Sequence, residues 1–328
     1  MIGQGKIRLA RLAYVHYEHQ DLEKFKQFAG DFGLIEAQST NDVVYYRGYG
    51  QDPFAYIGSR SKDGAPNAFK GAGFVAKTRQ DYDNACALPG ATIRNASERP
   101  GGGHLVVVKD PNGYEMEVCW GQTENSVASC PLSSAIGEPA PMNGSFDKPR
   151  KGQFMRFAHG PAMVHKLGHF GYMTDNYEET CAWYSELFNF IPTDILLSPE
   201  DKSLEVATFF RLDVGKEYVD HHCLLLTRET GGGTKIHHSS FEVEDIDTQI
   251  LGHYWLGDQG YKSLWGVGRH THGSQIFDYW RDTSNFIVEH YADGDVVNDE
   301  LPVDYAVAGN MAVWGPEPPK EFTAKASA

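Results

Sequence analysis

The chain has 328 residues, 41% of them hydrophobic and 22% charged, a globular composition with length for one large domain or two to three ordinary ones. Its 29 Lys+Arg against 44 Asp+Glu leave a net charge of −15, which repels phosphate backbones and anionic lipid and argues against nucleic acid or membrane as partners. The N-terminal stretch lacks a secretory apolar core, no apolar run reaches the ~18 residues of a spanning helix, and five scattered cysteines form neither a disulfide framework nor a zinc knuckle, so a cytoplasmic protein is expected.

Residues 7–15 (IRLARLAYV) read as a strand, and Leu22, Phe25, Phe28 and Phe32 mark one face of a helix over 21–33. A second strand–helix pair follows, GAGFVAK before DYDNACAL, and then a strand–turn–strand, HLVVVKDPNGYEMEV. A stretch rich in Pro, Gly, Ser and Asn separates this half from the next. The same order then recurs. Leu167–Met173 reads as a strand, and Tyr177, Cys181, Tyr184 and Phe188 line one face of a helix that Thr174 or Asp175 could cap. HHSSFEV precedes DIDTQILGHYWL, and SQIFDYWRDTSNFIVEHY closes the half. Asp110 stands seven residues before Glu117, as Asp282 stands seven before Glu289, with turn residues between each pair. An internal duplication is the simplest account. The expected division is an N-terminal module over 1–121, a linker over 122–164, a C-terminal module over 165–295 and an arm over 296–328. The Gly runs at 101–103 and 231–233 lack the Lys-Ser/Thr and helix of a phosphate loop and read as plain loops.

Strand alternation gives the second half its chemistry. His169, His238 and Glu289 each fall mid-strand on three different strands, and strands curling into a half-barrel would aim all three inward. A mid-strand histidine is commonly a hydrogen-bonded core residue. A mid-strand glutamate in FIVEHY is harder to dismiss, because a buried carboxylate needs a cation. Two imidazoles and one carboxylate form the facial triad of non-haem iron sites, and zinc accepts the same donors. Alternation sends His237 and His290 to the opposite face, while His272 is a candidate for the mouth. His16, His19, His104, His159, His165 and His253 read as surface or structural residues.

The chain resembles the type I extradiol ring-cleaving dioxygenases of the vicinal oxygen chelate superfamily. The resemblance rests on LGHFGYM at 167–173, HHCLLLT at 221–227, IHHSSFEV at 236–243, GRHTHGSQIFDYW at 268–280 and FIVEHYADGD at 286–295, in that order. It implies an α+β fold of two modules, each a pair of βαβββ units. It implies metal ligands at His169, His238 and Glu289, an acid–base histidine at His222, and a supporting His270 and Tyr279. The implied ion is Fe(II), with Mn(II) serving in some members, and the implied partners are an aromatic diol, O₂ and further copies of the chain. His222 would donate a proton as the oxygenated substrate rearranges, Tyr279 would bond a catechol oxygen, and His270 would orient the substrate. In the first half, Tyr14 stands for His169, Phe74 is read as standing for His238, and only Glu117 is kept, so that module is expected to be non-catalytic. Two rivals share the fold: a metal-dependent glyoxalase-like isomerase or lyase, and a protein that sequesters a small molecule without chemistry.

Overall fold

The computed structural model describes residues 5–126 and 141–319. Cys130 and most of the N-terminal part of the expected linker lie outside the described residues. The first module is a sheet of eight strands: β1 (Leu9–His19), β2 (Ile35–Ser39), β3 (Val43–Arg47), β4 (Tyr56–Arg60), β5 (Ala68–Ala76), β6 (Thr92–Asn95), β7 (His104–Lys109) and β8 (Glu115–Trp120). Their order is β2-β3-β4-β1-β5-β8-β7-β6. Helix α1 (Leu22–Asp31) follows β1, and α2 (Arg79–Cys86) follows β5.

The second module repeats this arrangement. Its strands are β9 (Lys166–Thr174), β10 (Phe190–Leu197), β11 (Glu205–Leu212), β12 (Val219–Asp220), β13 (Leu224–Arg228), β14 (Thr234–Glu242), β15 (Lys262–His270), β16 (Ile276–Arg281) and β17 (Ile287–Ala292). Helix α3 (Tyr177–Leu187) follows β9, and α4 (Ile246–Asp258) follows β14. The arm adds β18 (Val296–Val297), β19 (Asp304–Val307) and β20 (Ala312–Trp314). The sheet order β19-β10-β11-β13-β9-β14-β17-β16-β15-β20 is the first module's order with one arm strand added at each edge. Each module is therefore a pair of βαβββ units, joined by an antiparallel central pair, β1 with β5 and β9 with β14.

Local chemistry explains the helices. Asp21 accepts a hydrogen bond from the Lys24 amide to cap α1, and Leu22, Phe25, Phe28 and Ala29 form its buried stripe. Neither candidate cap of α3 serves. The cap position is Asn176, because Thr174 belongs to β9 and its hydroxyl accepts from the Asn176 amide, while Asp175 accepts from Gly233. The paired turns hold as matched structures. Asp110 accepts from the amides of Asn112 and Tyr114, and Asp282 accepts from those of Ser284 and Phe286. Gly113 and Asn285 take the positive φ that each turn requires, 86° and 68°.

The modules share one core in which Phe25, Phe28 and Phe32 of the first meet Phe170, Phe210 and Phe241 of the second. Tyr17 Oη and Ser239 Oγ stand 2.6 Å apart across the seam, and Tyr172 donates to Asp110. The end of the linker is bolted to the first module, where Val164 donates to Gly33 and accepts from Tyr49. No helix among the described residues is long and apolar enough to cross a membrane.

Candidate metal centre

The sheet register gathers the donors. Ser240 of β14 lies opposite His169 of β9 on one side and Glu289 of β17 on the other, and Glu289 lies opposite Tyr279 of β16. These four residues form one row across neighbouring strands, so their side chains leave the same face of the sheet. His238 is two residues from Ser240 and shares that face. The small, fully buried Ser240 side chain between them leaves room for His169 and Glu289 to lean together.

The lean brings the donors into contact. His169 Nε2 and His238 Nε2 are 2.9 Å apart, and Glu289 Oε2 is 3.4 Å from the first and 3.5 Å from the second. Donor atoms bound cis to one ion at about 2.1 Å stand about 3.0 Å from each other, so the triangle has the size a metal would need. All three residues are buried, Glu289 and His238 at 0% and 2% exposure. Both Glu289 carboxylate oxygens and His169 Nδ1 are buried without a conventional hydrogen-bond partner. A native fold does not leave a buried carboxylate unsatisfied without reason, and a cation in the triangle answers Glu289. Burial works to raise the Glu289 pKa, but the imidazoles of His169 and His270 hold it well below the usual carboxylate range. Burial keeps His238 and His222 neutral by pushing each well below its usual pKa. A neutral His238 imidazole and an anionic Glu289 carboxylate on one face suit a divalent ion.

The other three expected residues ring this triangle. His222 precedes β13 rather than lying within a strand, and its ring centroid is 4.1 Å from that of His169. His270 is the last residue of β15, in which Gly266 and Gly268 are strand residues. Its Nε2 is 2.9 Å from Tyr279 Oη and 3.7 Å from Glu289 Oε1, while its Nδ1 faces the carbonyl of Met311 at 3.0 Å. The C-terminal arm thus supplies part of the wall. Burial, with Glu289 nearby, raises the Tyr279 phenol well above its usual pKa.

Two expectations from alternation meet different fates. His290 does face away, stacked on Phe32 with its Nε2 2.7 Å from the Phe32 carbonyl. His237 does not. The register slips between Ile236 and His238, so His237 is the extra residue of a bulge, and its Nδ1 lies 2.6 Å from His238 Nδ1. Sequence reasoning also passed over Asp194, which neighbours His221 and His272. Its signal was a carboxylate inside the mostly apolar strand FIPTDILL.

The first module's equivalent position is closed. Tyr14, Gly73, Glu117 and Val107 form the row that matches His169, Ser240, Glu289 and Tyr279. That register puts Gly71, not Phe74, in the place of His238; Phe74 is the counterpart of Phe241. Tyr14 donates to Glu117, and Arg99 Nη1 donates to Glu117 Oε2 at 2.6 Å. A guanidinium satisfies here the carboxylate that stays unsatisfied in the second module.

Comparison with known proteins agrees with this architecture. Residues 166–289 match the family model described as Glyoxalase/Bleomycin resistance protein/Dioxygenase superfamily. Metapyrocatechase 2 of Cupriavidus necator is 27% identical over 314 residues, which are 94% of this chain and 90% of that protein. Homoprotocatechuate 2,3-dioxygenase from Arthrobacter globiformis superposes with a TM-score of 0.77 at 18% identity, covering 97% of this chain and 92% of that one. The Mn(II)-bound glyoxalase from Novosphingobium aromaticivorans superposes with a TM-score of 0.73 at 18% identity, covering 96% and 94%. The residues that match this model are those of the module that carries the donor triangle.

Proposed function

We infer that this chain is an extradiol dioxygenase that opens the ring of a substituted catechol with both atoms of O₂, giving a semialdehyde or keto acid. The observation that carries the reading is the buried, unsatisfied triangle of His169, His238 and Glu289 in one module. The full-length similarity to a metapyrocatechase supports it. A glyoxalase-like isomerase of this superfamily usually collects its ligands from two modules or two subunits, whereas here one module holds the whole set. A sequestering protein needs no such donor set.

His169, His238 and Glu289 would hold the ion, Fe(II) by preference and Mn(II) as the alternative. When bound, it supplies open positions for the diol oxygens and O₂ and a path for electrons between them. His222, neutral and against His169, takes and returns a proton at Nε2. Tyr279 hydrogen-bonds a catechol oxygen, and His270 holds the Tyr279 phenol. We read the protein as cytoplasmic, in keeping with its free cysteines 86, 119, 181 and 223, and as a homo-oligomer, as the family resemblance implies.

The test is an oxygen-electrode experiment on metal-loaded protein with a panel of catechols. Oxygen uptake with a yellow product is expected. Turnover without oxygen would make the protein an isomerase instead. Glu289→Gln replaces a hard anionic donor by a weak neutral one, and metal content and oxygen uptake should both collapse; a variant with normal metal content would remove Glu289 from the site.

A further inference from the structure

A chain of polar side chains leads outward from His222 that the proposed chemistry does not use. His222 Nδ1 lies 3.1 Å from His221 Nδ1. His221 Nε2 faces Asp194 Oδ2 at 3.4 Å, and the same oxygen takes a 2.6 Å contact from His272 Nδ1. Asp194, His221 and His222 are all buried, while His272 is one-fifth exposed. His221 is clamped on every side. Its amide donates to Asp295, its carbonyl accepts from Thr193, and a methyl group added at Gly273 would come within 3.2 Å of its ring.

The duplication provides an internal control. Register matching equates Phe170 with Val15, so Leu224 matches Tyr56, His222 matches Phe54 and His221 matches Pro53. Asp194 pairs with Phe209 and Gln38 pairs with Tyr45, at equivalent places in the two sheets. The module that lacks the two imidazole donors therefore also lacks the acid, the middle histidine and the inner histidine. The Asp–His–His chain accompanies the donor triangle and is absent where the triangle is absent.

We propose that Asp194 and His221 are positioning residues that decide which ring nitrogen of His222 carries its proton. This rests on the reading of His222 as the acid–base group. A carboxylate only accepts, so His221 keeps its hydrogen on Nε2, toward Asp194. Its Nδ1 then presents a lone pair, and His222 must donate from Nδ1 to meet it. The nitrogen of His222 left for the reaction, Nε2, is bare. It begins as a base that accepts the proton released by a catechol hydroxyl and only then becomes an acid that returns it, so no net proton is gained or lost. Asp194 is suited to this duty: burial pushes its pKa up, but His221 and His272 outweigh that and keep it ionised, below the usual carboxylate range.

The test pairs kinetics with a direct view of the ring. In metal-loaded His221→Phe and Asp194→Asn, kcat with a catechol should fall about 10- to 100-fold, while KM and metal content stay within about 2-fold. His221→Gln, whose side-chain oxygen can accept from His222 Nδ1, should recover most of the loss. In protein labelled with ¹⁵N-histidine and loaded with diamagnetic Zn(II), two-bond ¹H–¹⁵N spectra should show His222, assigned by its loss in His222→Phe, as the Nδ1-protonated form. That form should give way in His221→Phe and Asp194→Asn. Unchanged kcat in His221→Phe, or an Nε2-protonated His222 in the wild type, overturns the proposal. If no catechol drives oxygen uptake by the wild type, the dioxygenase reading fails, and the spectra still decide the tautomer.

Discussion

An ionised carboxylate with no conventional hydrogen bond on either oxygen is among the most costly groups to bury, and Glu289 is one. Three imidazoles face it, and that arrangement is economical only if a cation completes it. His222 stands apart from this triangle in function. Replacing it with Phe preserves the ring's packing against Phe209 and His169 but removes both nitrogens. Metal content and catechol KM should hold, while ring opening slows by about 10²–10⁴-fold, the usual worth of a positioned proton-transfer group. Stopped-flow absorbance of the yellow product would measure this, and an unchanged rate would take His222 out of the chemistry. Glu289 was legible because a carboxylate is rare in an apolar strand, whereas His222 came only with the family resemblance. His237 was misplaced because a bulge breaks strict alternation and nothing in a string of letters marks it.

Among the elements, the turn between β16 and β17 sets where Glu289 begins its strand. Asp282 ties that turn with two amide bonds from one oxygen, while its other oxygen is buried and unpartnered. Its counterpart Asp110 spends the second oxygen on Tyr172. Burial raises the Asp282 pKa to about 7, against about 3.9 in an unfolded chain. The unfolded state therefore gives up this proton more readily, and the associated stability is complete below pH ~4 and lost as pH rises toward 7. Asp282→Asn keeps the acceptor for both amides and carries no charge. Thermal unfolding should show the variant more stable than wild type at pH 8, by on the order of 2 kcal/mol, with the difference vanishing near pH 4. A constant difference across that range would show that Asp282 does not titrate as described. The strands β2, β3, β10 and β11 were not singled out from sequence. They are short or lie near the sheet edges, and their faces mix exposed and buried positions too irregularly to give a clean period of two.

At the scale of the molecule, two copies of one architecture have diverged at the donor row and at the positions around it. Where the second module keeps an unsatisfied carboxylate, the first pairs it with Arg99 and Tyr14. Glu117→Gln should therefore leave metal content and oxygen uptake unchanged. It should cost about 3 kcal/mol of stability in denaturant unfolding, because it strands a largely buried guanidinium. Loss of metal in that variant would mean that the first module holds an ion after all. The sequence by itself carried the duplication and picked out His169, His238 and Glu289 as candidate donors on separate strands, while the α+β class came with the family resemblance. Hydrophobic period, turn chemistry and the rarity of mid-strand His and Glu are properties of neighbouring residues, and they survive in a linear string. Only the tertiary structure decided the equivalence of Gly71 with His238, the folding of the arm onto both sheet edges, and the line from Asp194 through His221 to His222. Those depend on register between strands far apart in the chain, and a shift of one residue would turn every side chain to the other face.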